Sequence, residues 1–322
     1  MTKIIAEICQ NHGGSRETLA QMIKSASENG ADFVKIQSIF SEDLTLRKRF
    51  EEGKTDADGK VLTIKRPYTP EFERLSKLDL SLDDHKFFIE ECKKHGVIPM
   101  TTIFSQSRID EVANLPWPSR VVKVASYDCA SFPFLEKLTD HFDHLIISTG
   151  ATYDDEIAKA VELVKNKNKK LTLIHCVTSY PNTLDMANLR RMEWLRHFAS
   201  EVGWSDHTLV ARDGLIASKV AIYLGADYVE RHFTILPVDK TKDGPISITP
   251  ELIRELSDFR KKTKKEQLEE IMRECPNWES VLFGEPTREM THTELLNRDY
   301  YRGRFASKVA ERVVYNWEEL KL

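Results

Sequence analysis

The sequence predicts a closed (β/α)8 barrel, and three observations lead to this fold. Eight short runs rich in β-branched residues recur along the chain, amphipathic helix-like stretches separate them, and polar side chains collect where the runs end. Strands that alternate with helices pair in parallel, and eight such units close into a barrel rather than form an open sheet. The length of 322 residues suits one such barrel carrying insertions.

The predicted elements follow from apolar spacing and from glycine positions. Strands are expected at residues 3–9, 33–39, 97–103, 121–126, 144–149, 171–177, 202–207 and 228–234. Two of the intervening stretches show a clear apolar helix face, formed by Leu19, Met22, Ile23 and Ala26 in one and by Ile157, Val161 and Val164 in the other. Gly30, Gly96 and Gly225 each follow a predicted helix, at the position where a left-handed cap is needed.

Two segments interrupt this alternation, namely residues 41–80 and the part of the chain after residue 262. Residues 41–80 are highly charged and follow the second strand, which places them at the rim where barrel active sites form. They are predicted to be a lid or a substrate-contact element, with a plain surface insertion as the alternative, and DADG at 56–59 is predicted to be a turn between two extended pieces. The expected domains are a (β/α)8 barrel domain at 1–262 and a C-terminal helical extension at 263–322.

Charge, the N-terminal segment and the cysteines argue against several functional classes. A formal charge of -4, a pI near 6.2 and interspersed acids and bases leave no basic face for nucleic acid. The apolar run at the N-terminus is interrupted by Glu7 and Gln10, so neither a signal peptide nor a membrane span is expected, and the protein is predicted to be cytoplasmic. Five cysteines without a CxxC pair indicate reduced thiols, of which Cys9 and Cys176 are predicted to be core residues.

The polar residues at the strand ends are the candidate site, because chemistry in this fold occurs there. Each residue taken alone also has an ordinary explanation, such as a helix cap, a snorkelling lysine or a hydrogen-bonded core histidine. Lys35 and Lys123, however, interrupt strands that should be buried, and a buried ammonium group is costly without an anion. Two such lysines near hydroxyl groups predict a phosphate or carboxylate ligand.

His207 and His232 end the seventh and eighth strands, which are neighbours in the barrel wall. Two imidazoles that converge on one point would suit one divalent metal and would leave positions open for water and substrate. The ligand types favour Mn2+, Mg2+, Co2+ or Fe2+, with Zn2+ as a further option. Without a metal, the same histidines would be acid–base or structural residues.

The motifs at these strand ends resemble the sialic acid synthase family. They occur in the order AEICQNHGG, VKIQS, TTIFS, KVAS, ISTGA, IHCVTSYP, GWSDHT and ERHFT, and the resemblance covers residues 3 to 262. It implies a metal-dependent barrel enzyme that condenses phosphoenolpyruvate with an N-acetylated aminosugar aldehyde to give a nine-carbon ulosonic acid. Mn2+ or Mg2+ is the usual metal in this family.

The resemblance also implies roles for individual residues. Catalytic roles fall on Glu7, Lys35, Lys123, His207 and His232, with the two histidines as metal ligands. The phosphate and carboxylate of phosphoenolpyruvate are expected at cations and hydroxyls, namely Lys35, Thr102, Lys123, Ser126, Ser148 and Ser205. The other expected substrate contacts are Gln37, Asp128, Thr178 and Tyr180.

Three departures from the family pattern concern the sugar acceptor. Tyr127 stands where relatives have glycine, Thr178 where they have asparagine, and Ile246 where they have an aspartate, although Asp243 is close by. Tyr127 and Ile246 make the site less polar. They favour a deoxy or otherwise modified sugar.

A further departure concerns the C-terminus. Relatives append an antifreeze-like domain, which places an arginine over the sugar of the partner in a dimer. Residues from Tyr300 onwards resemble only the beginning of that domain. Substitution for that arginine by Arg302 or Arg304 is one alternative, but both are expected to be surface residues, and a homodimer remains one option.

The predicted function is the condensation of phosphoenolpyruvate with an amino- or deoxy-sugar aldehyde, giving a 3-deoxy-2-ulosonic acid for surface polysaccharide synthesis. One alternative is a Schiff-base sugar aldolase that uses Lys35 or Lys123 as the nucleophile. Another is a non-catalytic protein that binds phosphoenolpyruvate or a sugar acid.

Overall fold

The computed structural model describes residues 1–320, and its main feature is a closed barrel of eight parallel strands. Within these residues the strands are β1 (Lys3–Cys9), β2 (Phe33–Ser38), β3 (Lys54–Thr55), β4 (Val61–Thr63), β5 (Ile98–Ile103), β6 (Val121–Val124), β7 (His144–Ser148), β8 (Lys170–Cys176), β9 (Glu201–Asp206), β10 (Tyr228–His232), β11 (Ser307–Val309) and β12 (Arg312–Val314). The barrel follows the order β1-β10-β9-β8-β7-β6-β5-β2, and β2 pairs again with β1. The predicted fold is confirmed.

Helices surround the barrel and cover its outer face. In the described part of the chain they are α1 (Arg16–Glu28), α2 (Arg49–Glu52), α3 (Tyr68–Ser76), α4 (Leu82–Lys94), α5 (Ile109–Ala113), α6 (Phe132–His141), α7 (Asp154–Asn166), α8 (Arg191–Leu195), α9 (Val210–Asp213), α10 (Ile216–Tyr223), α11 (Pro250–Phe259), α12 (Lys264–Glu274) and α13 (His292–Tyr301). The apolar faces predicted for α1 and α7 are buried. Gly30 follows α1 with a φ of 95°, which confirms the left-handed cap predicted there.

The lumen of the barrel is filled in two layers, and this layering positions the site. The lower layer is apolar and consists of Ile5, Phe33, Met100, Val121, Ile146, Ile174 and Tyr228. Side chains two positions further along a strand point to the same face, so the next layer is formed by Glu7, Lys35, Thr102, Lys123, Ser148, Cys176 and Glu230. On β9 the equivalent pair is Gly203, opposite Tyr228, and Ser205, opposite Glu230. A polar layer therefore rests directly on an apolar plug.

Residues 41–80 form an ordered cover beside the barrel mouth. They contain α2, α3 and an antiparallel β3–β4 hairpin, so the turn predicted at DADG is confirmed. The hairpin contacts α13, where Val61 O lies 2.7 Å from His292 Nε2. The N–H of Ala306 donates to Asp43 O at 3.0 Å, which ties this cover to the C-terminal segment.

The C-terminal segment packs against the barrel of its own chain. The buried Lys219 of α10 contacts Glu270 and Glu274 of α12 at 2.9 Å and 2.6 Å. Helix α13 crosses the carboxyl ends of the strands, where Asn297 Nδ2 donates to Thr178 O at 2.8 Å. Side-chain contacts join the residues before position 262 to those after it. The division into two domains at this residue therefore stays a prediction. Within residues 1–320, no helix is long and apolar enough to cross a membrane.

Candidate active site

A cavity of about 510 Å³ opens at the carboxyl ends of the barrel strands. All but two of the predicted site residues line it, namely Glu7, Lys35, Gln37, Thr102, Lys123, Ser126, Ser148, Tyr180, Ser205, His207 and His232. They come from different strands that are far apart in sequence. The closure of the barrel is what brings them around one space.

The floor of the cavity is a network of buried charges. Lys35 forms an ion pair with Glu7, and its Nζ lies 3.7 Å from Glu230 Oε2. Lys123 Nζ lies 3.8 Å from Glu230 Oε1. Glu230 is only 5% exposed and also accepts a hydrogen bond from Ser205 Oγ at 2.8 Å. The two lysines that sequence alone left without a counter-ion are therefore balanced by two carboxylates.

Burial and pairing set the protonation states of this network. Burial is the main influence on Lys35 and lowers its pKa to about 8, despite the nearby Glu230. Burial by itself would raise the pKa of Glu230, but the ammonium groups of Lys123 and Lys35 outweigh it and hold that pKa low. The site predicted from sequence did not include Glu230. The available signal was the period of two along β10, which puts Glu230 on the same face as Tyr228, two positions further along the strand.

Hydroxyl groups flank the lysines on both sides. Lys35 Nζ donates to Thr102 Oγ1 at 3.1 Å, and Lys123 Nζ donates to Ser148 Oγ at 2.5 Å. Ser126 lies on the 3₁₀ turn that directly follows β6. Ammonium groups with adjacent hydroxyl donors form a surface suited to phosphate or carboxylate oxygens.

The two strand-end histidines lie side by side, as the sequence indicates. The ring centroids of His207 and His232 are 5.2 Å apart, and the Tyr180 ring meets His207 edge-on at 4.5 Å. Burial lowers the pKa of both imidazoles. Because they are neutral, their free nitrogen lone pairs are available to a metal. His232 Nδ1 is buried and has no hydrogen-bond partner in the described structure.

Cys9 and Asp243 are two cavity residues that the site predicted from sequence did not include. Cys9 is buried, as expected of a core residue, but its Sγ lies in the cavity wall and donates to Asp243 Oδ2 at 3.1 Å. Asp243 Oδ2 is in turn 4.0 Å from His232 Nδ1. The order of residues could not reveal this contact, because Cys9 and Asp243 come from opposite ends of the barrel sequence.

Two predicted substrate contacts, Asp128 and Thr178, lie outside the cavity lining, so their role at the substrate stays a prediction. Asp128 is buried behind it and accepts hydrogen bonds from Ser131 and from Asn316, and burial raises its pKa to about 6. Thr178 is fully buried, and its backbone N–H and C=O contact Glu294 and Asn297 of α13. Asp128 and Thr178 therefore hold the C-terminal segment against the barrel through these hydrogen bonds.

The cavity mouth is basic and includes a residue that sequence placed on the surface. Arg66, Arg74, Lys242 and Arg304 all line it. Arg304 is paired with Glu71 and lies 5.4 Å from the centre of the Tyr301 ring, so the prediction of a surface residue is wrong for this arginine. Arg302 lies outside the lining and packs on Trp317.

Comparison with known proteins agrees with this architecture. The sequence pattern of the NeuB family matches residues 22–271. N,N'-diacetyllegionaminic acid synthase of Campylobacter jejuni is 33% identical over 251 residues, which cover 76% of this chain and 70% of that protein. N-acetylneuraminate-9-phosphate synthase of Mus musculus is 30% identical over 308 residues, or 91% and 74% of the two chains.

Solved structures support the fold. An N-acetylneuraminic acid synthetase from Leptospira borgpetersenii superposes with a TM-score of 0.68 at 24% identity, over 86% of this chain and 93% of that chain. The barrel and its charged cavity define a (β/α)8 enzyme of carbohydrate biosynthesis. The chain belongs to the NeuB family.

Proposed function

We propose that this enzyme condenses phosphoenolpyruvate with an amino- or deoxy-sugar aldehyde and releases phosphate, forming a 3-deoxy-2-ulosonic acid. The observation that carries the proposal is one cavity in which two buried lysines, their hydroxyl neighbours and a pair of neutral histidines face the same space. The reaction needs anion recognition and metal ligation, and the lysines and histidines proposed for these two roles face the same cavity.

Phosphoenolpyruvate is proposed to bind at the floor of the cavity. Lys35 and Lys123 would exchange part of their contact with Glu230 for the phosphate and carboxylate of the substrate. The hydroxyls expected to assist are Thr102, Ser126, Ser148 and Ser205. Charge-assisted hydrogen bonds of this kind are about twice as strong as neutral ones, and they persist as charge develops on the departing phosphate.

A divalent metal is proposed to bind between His207 and His232, for which Mn2+ or Mg2+ is the expectation from sequence. The residues fit such an ion, because both imidazoles are neutral and the buried His232 Nδ1 has no partner within residues 1–320. A bound metal would supply Lewis-acid polarisation of the aldehyde oxygen. Gln37 and Tyr180 line the same part of the cavity and are proposed to contact the sugar.

Glu7 and Lys35 are proposed to carry out the proton transfers. C3 of phosphoenolpyruvate forms a bond to the aldehyde carbon, water adds at C2, and the bond between C2 and the phosphate oxygen breaks. Glu7 is proposed to take the proton of the water, since its Oε1 is held by the N–H of Cys9 at 2.5 Å and its other oxygen faces Lys35. Lys35, with a pKa of about 8, can return a proton to an oxygen that gains charge.

A Schiff-base aldolase is a second candidate, because the lowered pKa of Lys35 is typical of nucleophilic lysines. Borohydride in the presence of the sugar would trap a covalent adduct on an aldolase and leave the synthase unmodified. A protein that only binds phosphoenolpyruvate would release no phosphate with any sugar.

The direct test is phosphate release from phosphoenolpyruvate with a divalent metal and a panel of N-acetylated and deoxy sugars. Phosphate release that requires one sugar, and that His207→Ala removes, is expected. His144→Ala is the matched control, because this histidine begins β7 at the opposite end of the barrel. Equal loss in both variants, or release without a sugar, would contradict the proposal. With oxygen-18 in the bridging position of phosphoenolpyruvate, the label should appear in the phosphate.

A further inference from the structure

Three potential ligand atoms from distant parts of the chain meet at one corner of the cavity. Cys9, His232 and Asp243 each offer one atom, and these atoms all lie within 4.8 Å of one another. The Sγ to Oδ2 distance is 3.1 Å, and the Oδ2 to Nδ1 distance is 4.0 Å. Two atoms that each bind the same ion at about 2.0–2.3 Å are separated from each other by distances similar to these two.

We propose that the Cys9 thiolate and the Asp243 carboxylate bind the catalytic metal together with His232, and that the site therefore takes a borderline-soft ion such as Zn2+, Co2+ or Fe2+. This inference rests on the proposed function, because it concerns the metal of the same site. His207 lies next to His232, with ring centroids 5.2 Å apart, but it is outside the set of ligand atoms that lie within 4.8 Å of one another. A thiolate favours such metals, whereas Mg2+ and Mn2+ prefer an all-oxygen or oxygen-rich set.

The backbone at Cys9 is shaped for this role. The pairing of β1 with β2 shifts register between Glu7 and Cys9, and Cys9 has a φ of 52°. A positive φ costs free energy for any residue with a β-carbon, and such conformations are retained mainly at functional sites. A bulge at a strand end re-aims the side chain that follows it. Here it turns the Cys9 sulfur towards Asp243.

The polar contacts at this corner are incomplete without an ion. The Cys9 thiol donates to Asp243, while His232 Nδ1 is buried and has no hydrogen bond in the described structure. When the ion binds, the S–H bond breaks, the sulfur forms a bond to the metal, and the proton leaves to solvent. One ion would thereby satisfy the sulfur, the carboxylate and the imidazole together.

The test is Co2+ binding to the full chain after removal of metals with a chelator. Cobalt bound by a thiolate shows a strong near-ultraviolet charge-transfer band, which is independent of activity. Wild-type protein is expected to show this band, and Cys9→Ser is expected to lose it and to bind Co2+ at least tenfold more weakly. Cys176→Ser is the matched control, since Cys176 is also buried and lines the same cavity. It should keep the band.

Cys9→Gly separates the ligand role from folding. Glycine accepts a positive φ without strain, so this variant should keep its circular dichroism spectrum and still lack the band. Asp243→Asn should weaken Co2+ binding and leave the band present. If wild type binds Co2+ without a thiolate band, this inference is overturned and the proposed function stands with histidine and oxygen ligands. If wild type binds no divalent ion at all, both fail.

Discussion

Replacing Glu230 by glutamine should destabilise the protein and, at the same time, strengthen its response to phosphoenolpyruvate. Glu230 is 5% exposed, and its oxygens lie 3.7 Å from Lys35 and 3.8 Å from Lys123. At an effective dielectric constant of about 20, each of these attractions amounts to about 4 kcal/mol. The amide keeps the shape of the side chain and removes the charge.

The expected loss in the free energy of unfolding is about 3 kcal/mol. Removing one partner of a buried ion pair costs about 3–5 kcal/mol, because an ammonium group is left buried without a counter-ion. Lys35 keeps Glu7 as a counter-ion in the variant, so Lys123 is the ammonium group left unpaired and the expected cost lies at the lower end of that range. Urea unfolding of wild type and variant measures the difference.

Phosphoenolpyruvate should then stabilise the variant more than the wild type. In the wild type the substrate competes with Glu230 for the lysines, whereas in the variant this competition is removed and the substrate becomes the counter-ion of Lys123. A tenfold gain in affinity would add about 1.4 kcal/mol to the stabilisation at saturating ligand. Unfolding with and without phosphoenolpyruvate provides both numbers in one experiment.

Glu201→Gln is the control for this prediction. Glu201 also pairs with a lysine, since its Oε1 is 2.9 Å from Lys170, but the two side chains are 24% and 48% exposed. A pair in this setting is worth less than about 1 kcal/mol. If Glu230→Gln cost no more than this control, or if phosphoenolpyruvate stabilised the two proteins equally, the buried network would not hold the substrate as argued.

Three further predictions concern the mouth, the floor and the wall of the cavity. Arg304→Ala should raise KM for the sugar at least tenfold and leave KM for phosphoenolpyruvate unchanged. Arg302 lies outside the lining, so Arg302→Ala should alter neither KM. Equal effects of the two substitutions on KM for the sugar would contradict this prediction. Phosphoenolpyruvate affinity, measured by calorimetry, should fall about tenfold per pH unit above about pH 8 as Lys35 loses its proton, and constant affinity up to pH 9.5 would refute this. Gly203→Ala should cost about 1–3 kcal/mol in urea unfolding, because a β-carbon there would lie 2.5 Å from Tyr228 O; no loss would show that the strands can separate.

The sign of the Lys35 effect on folding is opposite to its effect on binding. Its pKa is lowered on folding from 10.5 to about 8, so between these values the unfolded chain binds more protons than the folded one. This contribution to stability therefore rises with pH across that window. The burial cost of the ammonium group is fully present below pH 8 and is relieved above it.

Local sequence was sufficient for the barrel and for most of the cavity wall. Alternation with a period of two places Ile5 and Glu7 on one face of β1, and Phe33 and Lys35 on one face of β2. Polar residues at the carboxyl ends of eight parallel strands must then meet at one end of the barrel. These statements depend only on the period of each element and on the rule of closure.

Only the tertiary structure decided which of these residues touch. Glu230 balances Lys35 because β10 closes onto β1 and β1 onto β2, and Cys9 faces Asp243 because a bulge turns the end of β1. Arg304 reaches the mouth because α13 crosses the barrel and returns the chain to it. Periodicity fixes the face on which a side chain lies. Distances between residues more than two hundred positions apart depend on closure, register and packing, which no local pattern encodes.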